Sequence, residues 1–256
     1  MIPKKIFYVW GANEPKKRDV LACIQSWRQN CQDYEIIEIN EESTEYFNFQ
    51  EELKNNKWFQ TVFQKKMWAY VADYIRIKVL YENGGIYLDT DVTVLKSFDA
   101  FLDYPAFVGM QDNAIEGKDD YVEPAILGSQ KNNLFFKQIL EIYQKEIWNI
   151  SIYTMPDLFQ YSIQKMYPTL LQNFLERNKQ KTITYPDIHI LPERFFIPFR
   201  INEEYHPKCI TPDTHTIHWW GGSWVKPEIV TFLKNKHKYP LDVLEKKSYL
   251  SIKCKF

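Results

Sequence analysis

No run of eighteen apolar residues occurs in this 256-residue chain, so no segment reads as a membrane-spanning helix. A positive excess is also missing. The formal net charge is -1, and without surplus cations to attract phosphates the sequence does not read as a nucleic-acid binder. Cysteine is scarce: Cys23, Cys31, Cys209 and Cys254 show no CxxC spacing. They therefore read as reduced thiols of a cytoplasmic protein, not as a zinc site or a disulfide framework. The opening M-I-P-K-K-I-F-Y-V-W-G follows its basic pair with only five apolar residues. That is short for a secretory signal, so the protein is expected to stay where it is made. Internal repeats and low-complexity linkers are absent, which argues for one domain.

What remains is ordinary for a folded chain, with 45% hydrophobic and 25% charged residues. The aromatic share of 16% is high, enough to fill a core and still supply faces on which bases or sugars stack. Ile6–Trp10 reads as a buried first strand, Val20, Leu21, Ile24 and Trp27 mark a helix within 16–30, and Tyr34–Ile39 reads as a second strand. Strand, helix, strand is the opening of an α/β layer fold. Residues 40–60 look polar and irregular. A helix is expected from Val62 to Asn83, with Phe63, Trp68, Val71, Ile75, Val79 and Leu80 facing the core, ended by Gly84 in the left-handed conformation. Ile86–Leu88, Val92–Leu95 and Tyr104–Met110 read as extended, and Asn113–Tyr121 as a loop. Ala125–Ser129 is apolar and small. Helices are expected over Asn133–Ile147 and residues 156–177, an irregular extended stretch over Tyr185–Phe199, and a strand within Thr214–Trp220.

The strand Ile86–Leu88 delivers Asp89 and Asp91, two carboxylates one residue apart. In an extended segment such residues point to the same side. A pair of carboxylates suits a hard divalent cation and leaves coordination positions that phosphate oxygens can fill. Asp73 and Arg76 share a face of the preceding helix at i and i+3. Their neighbours Val71, Ala72, Ile75 and Ile77 are apolar, so the two charges need partners, and a polar ligand is one way to supply them. Further on, I-H-W-W-G-G-S-W (217–224) crowds three tryptophans around two glycines. Glycine admits close backbone approach. His218 offers a nitrogen ligand, and Ser223 and Trp224 offer hydrogen-bond donors for phosphate oxygens.

Two other readings compete. The string L-D-T-D-V-T also fits the first motif of haloacid-dehalogenase-type phosphatases, with Asp89 as nucleophile and Asp119–Asp120 as a late acidic motif. That reading leaves Asp73, Arg76 and the tryptophan cluster without a role. The third is a sugar-binding module without turnover.

The blocks I-P-K-K-I-F-Y-V-W-G, A-D-Y-I-R-I-K-V-L-Y-E-N-G-G-I-Y-L-D-T-D and I-H-W-W-G-G-S-W together resemble the bacterial DXD sugar transferases of glycosyltransferase family 32. Those are related to yeast α-mannosyltransferases and distantly to glucosylating clostridial toxins. The resemblance implies an α/β, GT-A-like, Rossmann-type nucleotide-sugar-binding fold with a mixed central sheet. It implies Mn2+ as cofactor, with Mg2+ as the substitute, and retention of anomeric configuration by front-face substitution. By motif, Trp10 beside Val9 would stack on the nucleobase, and Asp73 and Arg76 would hold the donor sugar and ribose. Tyr87 would line the donor site. Asp89 would touch the sugar or ribose, Asp91 would ligate the metal, His218 would complete its shell, and Ser223 and Trp224 would close over the diphosphate. Asp112 and Glu123 are the candidates to orient the acceptor.

The resulting expectation is a transferase domain over residues 1–225 and a basic helical tail over 226–256. The function expected is hexose transfer, galactose first, from a UDP-sugar, with GDP-mannose second, to a glycan or lipid-linked oligosaccharide in bacterial surface polysaccharide synthesis. Seven lysines between Lys234 and Lys255, interspersed with apolar residues, suit peripheral contact with the inner face of an anionic membrane.

Overall fold

Lys5–Val9 becomes strand β1 because its β-branched and aromatic residues fit a pleated surface buried on both faces. In the computed structural model, which describes residues 1–43, 45–111, 121–170, 181–201, 203–221, Leu233 and Lys236, the chain continues through α1 (Arg18–Asn30), β2 (Glu35–Ile39), α2 (Phe49–Asn55), α3 (Lys57–Gln64) and α4 (Trp68–Asn83). It goes on through β3 (Gly85–Leu88), β4 (Val92–Val94), β5 (Ala106–Gln111), β6 (Tyr121–Ser129), α5 (Leu134–Lys145), α6 (Met155–Met166), β7 (Ile183–Thr184), β8 (His189–Leu191), α7 (Glu193–Phe196) and β9 (Thr216–His218).

Among the described residues, seven strands form one sheet in the order β2-β1-β3-β6-β5-β8-β7, while β4 and β9 pair separately as a two-stranded ribbon. β1 runs parallel to β2 and β3, and β5 parallel to β8. β6 is antiparallel to both β3 and β5, which makes the sheet mixed, as expected. Alternation along the strands builds two cores. Phe7 and Tyr87 face a layer of α3, α4, α5 and α6, while Ile6, Tyr8, Ile86 and Leu88 face α1, the ribbon and an aromatic group of Phe98, Phe101, Phe107 and Phe196.

Several elements differ from the sequence reading. Residues 40–60 contain α2 and the start of α3, whose first turns are capped by the Asn48 and Asn56 side chains. The helix expected from Val62 to Asn83 is two helices. Lys66 takes φ 56°, its N–H bonds to the Phe63 carbonyl, and the Met67 N–H reaches back to Val62, a Schellman end with lysine where glycine is usual. Gly84 has φ 68° but ψ 175°, so the end of α4 is extended on the glycine-only side of backbone space, not left-handed helical. Ala125–Ser129 belongs to a full strand, β6. On α1 the buried row is Val20, Cys23, Ile24 and Trp27, and Leu21 stands 52% exposed because it falls off that stripe. Of the helix expected over 156–177, α6 ends at Met166, ahead of Pro168, and residues 171–177 lie outside the described residues. Within Tyr185–Phe199 the chain forms β8 and α7.

Cys23, Cys31 and Cys209 are free thiols, and no described helix is long and apolar enough to cross a membrane. The loop at 113–120, Asp119–Asp120 and the tail 226–256 lie outside the described residues, apart from Leu233 and Lys236, which are buried.

Candidate active site

The two carboxylates sit where sheet and ribbon meet. The Asp89 N–H donates to the Ala125 carbonyl at 2.9 Å, one step past the β3–β6 pairing. The Trp219 N–H donates to the Asp91 carbonyl at 3.0 Å, one step past the β4–β9 pairing. Between them the Val92 N–H closes a turn on the Asp89 carbonyl at 3.1 Å. Asp89 and Asp91 therefore converge through a tight Asp-Thr-Asp turn, and not through the extended alternation read from the sequence. Short polar side chains favour such a turn.

β9 adds His218, opposite Val92 in the ribbon, with Nε2 3.4 Å from Asp91 Oδ1. Ligand atoms of Asp89, Asp91 and His218 all lie within 4.8 Å of one another. Two ligands of one ion, each bonded at about 2.1 Å, stand about 3–4 Å apart, so small side-chain adjustments would close the set on a cation. Carboxylate oxygens joined by an imidazole nitrogen suit Mn2+ better than an all-oxygen set would. His218 is a poor packing residue: it is buried, and its Nδ1 has no hydrogen-bond partner among the described residues. Its position is better explained by the carboxylates it faces.

The charges around the turn are unequal. Burial pushes the Asp89 carboxyl above the ordinary range, helped by Asp91 and opposed chiefly by Arg76. Burial also acts on Asp91, but His218 and the Gly221 N–H hold it below the ordinary value. Burial lowers His218, yet Asp91, Glu123 and Asp89 together keep it raised. The Gly221 N–H donates to Asp91 Oδ2 at 2.7 Å, and a Cβ at Gly221 would lie 3.0 Å from that oxygen. This is one of the glycine approaches that the 217–224 motif suggested.

α4 delivers Asp73 and Arg76 into the same region. Arg76 Nη2 lies 3.1 Å from Asp73 Oδ1 and 3.0 Å from Asp89 Oδ1, and Nη1 donates to the Pro124 carbonyl at 2.7 Å. The guanidinium lies 4.5 Å over the Tyr87 ring. Tyr87, on β3, is buried beneath Asp89 and donates its hydroxyl to Asp89 Oδ1 at 3.0 Å. Asp73 has Arg76 alone as an ion-pair partner among the described residues, and burial pushes its carboxyl up to about 7. Glu123, on β6, accepts from the Ala125 N–H at 3.2 Å, and burial raises its carboxyl too, with His218, Asp89 and Arg76 near enough to act on it. Val9 ends β1, and Trp10 follows it, at the same end of the sheet as Asp89, since β1 and β3 are parallel. Trp10 is half-buried and its indole donates to the Glu14 carbonyl at 2.8 Å.

The structure thus gathers Asp73, Arg76, Tyr87, Asp89, Asp91, Glu123 and His218, with Val9 and Trp10 at the same end of the sheet. Asp112, Ser223 and Trp224 lie outside the described residues. The carbonyls of Pro124 and Ala125 were not foreseen, because a backbone acceptor leaves no mark in residue type.

Residues 17–108 match the family described as a glycosyltransferase sugar-binding region containing a DXD motif. The chain is 32% identical over 120 residues to glucan organizing enzyme 1 of Cryptococcus neoformans var. grubii, covering 44% of this chain and 31% of that one. It is 34% identical over 112 residues to inositol phosphoceramide mannosyltransferase 3 of Schizosaccharomyces pombe, covering 42% and 29%. These matches span less than a third of the length of either relative. Among solved structures, the PaToxG glycosyltransferase aligns with a TM-score of 0.50 and 20% identity, over 68% of this chain and 73% of that one. That likeness is one of fold, and it makes the mixed sheet GT-A-like. The resemblance to DXD sugar transferases read from the sequence is borne out.

Proposed function

We propose that this chain is a metal-dependent, retaining glycosyltransferase that moves a hexose from a nucleotide-sugar to a glycan or lipid-linked oligosaccharide. One observation carries the reading: Asp89, Asp91 and His218 converge on a common point beside the Asp73–Arg76 pair, at the end of the sheet where Val9 ends β1 and Trp10 follows it. Those three side chains would hold a divalent cation, Mn2+ first and Mg2+ second, which would supply Lewis-acid stabilisation to the charge of a departing diphosphate.

The protein's own groups do the rest by position and charge. Arg76, fixed by Asp89, Pro124 and the Tyr87 ring, presents a rigid donor to sugar or ribose hydroxyls. Asp73 accepts from a sugar hydroxyl that its single ion pair leaves it free to meet. Trp10 stacks on the base beside Val9. Ser223 and Trp224 close over the diphosphate, and Asp112 and Glu123 orient the acceptor hydroxyl. The donor proposed is a UDP-hexose, galactose before others, with GDP-mannose second. The setting proposed is bacterial surface polysaccharide synthesis in the cytoplasm, with the basic tail against the inner face of the membrane.

The test is nucleotide release from a panel of UDP- and GDP-sugars, with Mn2+ and with EDTA, no acceptor added. Slow Mn2+-dependent release from one donor supports the reading and names the sugar. No release from any donor, together with metal-dependent cleavage of a simple phosphate ester, would replace it with the phosphatase.

A further inference from the structure

Among the described residues, Trp219 is the one large aromatic whose side chain is exposed, at 42%, in a chain with 8 Trp, 17 Tyr and 17 Phe. Its neighbours in sequence are committed to the site: His218 faces Asp91, and the Gly221 N–H caps the Asp91 carboxylate. Its own backbone N–H is tied to Asp91. The indole is not a loose surface ring. Nε1 donates to Thr93 Oγ1 at 2.8 Å, and the ring packs against Tyr205 at 5.1 Å and Phe199 at 6.0 Å, centroid to centroid. Behind this group the Trp220 indole donates to the Phe199 carbonyl at 3.2 Å, and Arg200 and Glu203 bond to each other through both backbone N–H groups.

The backbone is strained at the same point. Trp220 takes φ 57°, a region that bulky residues rarely enter. Such strain persists where the surroundings demand it, and it gathers at functional sites. Here the left-handed residue connects Trp219, in the open, to Gly221 on Asp91.

We infer that Trp219, backed by Tyr205 and Phe199, is a stacking platform for a pyranose ring of the acceptor, continuous with the carboxylate site. The assignment rests on the sugar-transfer reading above. A fixed aromatic face binds the apolar C–H face of a sugar at low entropic cost, because the ring is ordered before the ligand arrives. The rim fits neutral hydroxyls. Glu203, bonded to Arg200, and Glu204, next to Tyr205, are exposed and offer acceptors, while Arg200 is balanced by Glu193 and Glu203. An anionic lipid surface would need a cationic patch, and this rim is of mixed sign. The polar edge of the indole is occupied by Thr93, so the ring presents its face, which is the part that stacks.

The experiment is saturation-transfer NMR on the full chain with a panel of neutral oligosaccharides (lactose, cellobiose, maltotriose and mannotriose), alongside the donor-hydrolysis assay on the same preparation. Saturation concentrated on the ring C–H protons of at least one saccharide is expected. Trp219→Ala should weaken that binding about tenfold, Tyr205→Ala should weaken it less, and Trp219→Phe, which keeps a ring but loses the Thr93 bond, should retain most of it. Equal binding in parent and Trp219→Ala, or no saccharide contact at all, with donor hydrolysis intact, overturns the platform and spares the transferase. Sugar contact at Trp219 with no hydrolysis of any donor and with metal-dependent cleavage of a simple phosphate ester overturns the acceptor role together with the transferase reading.

Discussion

Replacing Asp73 with Asn should make the metal-free protein gain stability, relative to the parent, as pH rises. Asp73 is mostly buried, its side chain 15% exposed, and its carboxyl is pushed up to about 7; burial is the main cause, opposed by Arg76 and reinforced by Asp89 and Glu123. A carboxyl whose folded pKa exceeds its unfolded value holds its proton more tightly in the folded state. Its contribution is complete below the unfolded value and is lost as pH rises through the folded one. Raised from the ordinary 3.8 to about 7, at 1.36 kcal/mol for each tenfold change in proton affinity, the carboxyl loses about 4 kcal/mol. Asn mimics the protonated acid and does not titrate. The stability of Asp73→Asn minus that of the parent should therefore climb by about 4 kcal/mol between pH 4 and pH 8. Any constant cost of the substitution cancels in this difference. Urea unfolding in EDTA at several pH values measures it. A difference that stays flat, or that falls with pH, would refute the buried, weakly compensated carboxyl described here. The same variant should bind the donor less well, since the stability sacrificed at neutral pH is what keeps an acceptor available for a sugar hydroxyl.

Asp91→Asn should leave the fold intact and reduce Mn2+-dependent binding of a nucleoside diphosphate by more than about a hundredfold, read by calorimetry; unchanged affinity would remove Asp91 from the metal set. Tyr87→Phe deletes one buried hydrogen bond to Asp89, and should lower kcat/KM about tenfold with little change in melting temperature; an unaltered rate would show that Arg76 suffices to hold Asp89. Gly128→Ala sets a Cβ 2.0 Å from Phe107 Cε1 in the neighbouring strand. Overpacking of this kind should cost about 3 kcal/mol and lower the melting temperature by about 6–12 °C, and a calorimetric scan that shows no loss would mean that the ring moves aside freely.

Much of the candidate site is legible in the sequence, because its chemistry lies in residue types that a core seldom needs. Asp73 and Arg76 stood out inside an apolar helix, Asp89 and Asp91 at the end of a buried strand, and His218 beside glycines. The errors have a common origin in interactions made by backbone or by distant residues. α2 was hidden because Asn48, Glu51 and Glu52 look like loop composition, although Asn48 caps the helix and Glu52 is buried against Tyr74. The break between α3 and α4 carries no glycine or proline to announce it. β6 looked too small and apolar to classify because Gly128 is there to accommodate Phe107, a contact across strands that spacing along the chain cannot reveal. The turn at Thr90 was misread as extended since its closure depends on two separate pairings, with Ala125 and with Trp219.

That division of the turn gives the site an unusual mechanical property. Asp89 rides on the large sheet and Asp91 on the small ribbon, with Thr90 between them in sequence and the Val92 N–H bonded back to the Asp89 carbonyl. The gap between the two carboxylates therefore depends on how the ribbon packs against the sheet, through the core that Val92 and Val94 share with Ile86 and Leu88. The far end of the ribbon is held by the Leu95 N–H on the His215 carbonyl and the Thr216 hydroxyl on the Phe196 carbonyl. On the metal-dependent reading proposed above, a displacement there would change the distance between the two carboxylates, through residues that touch neither of them.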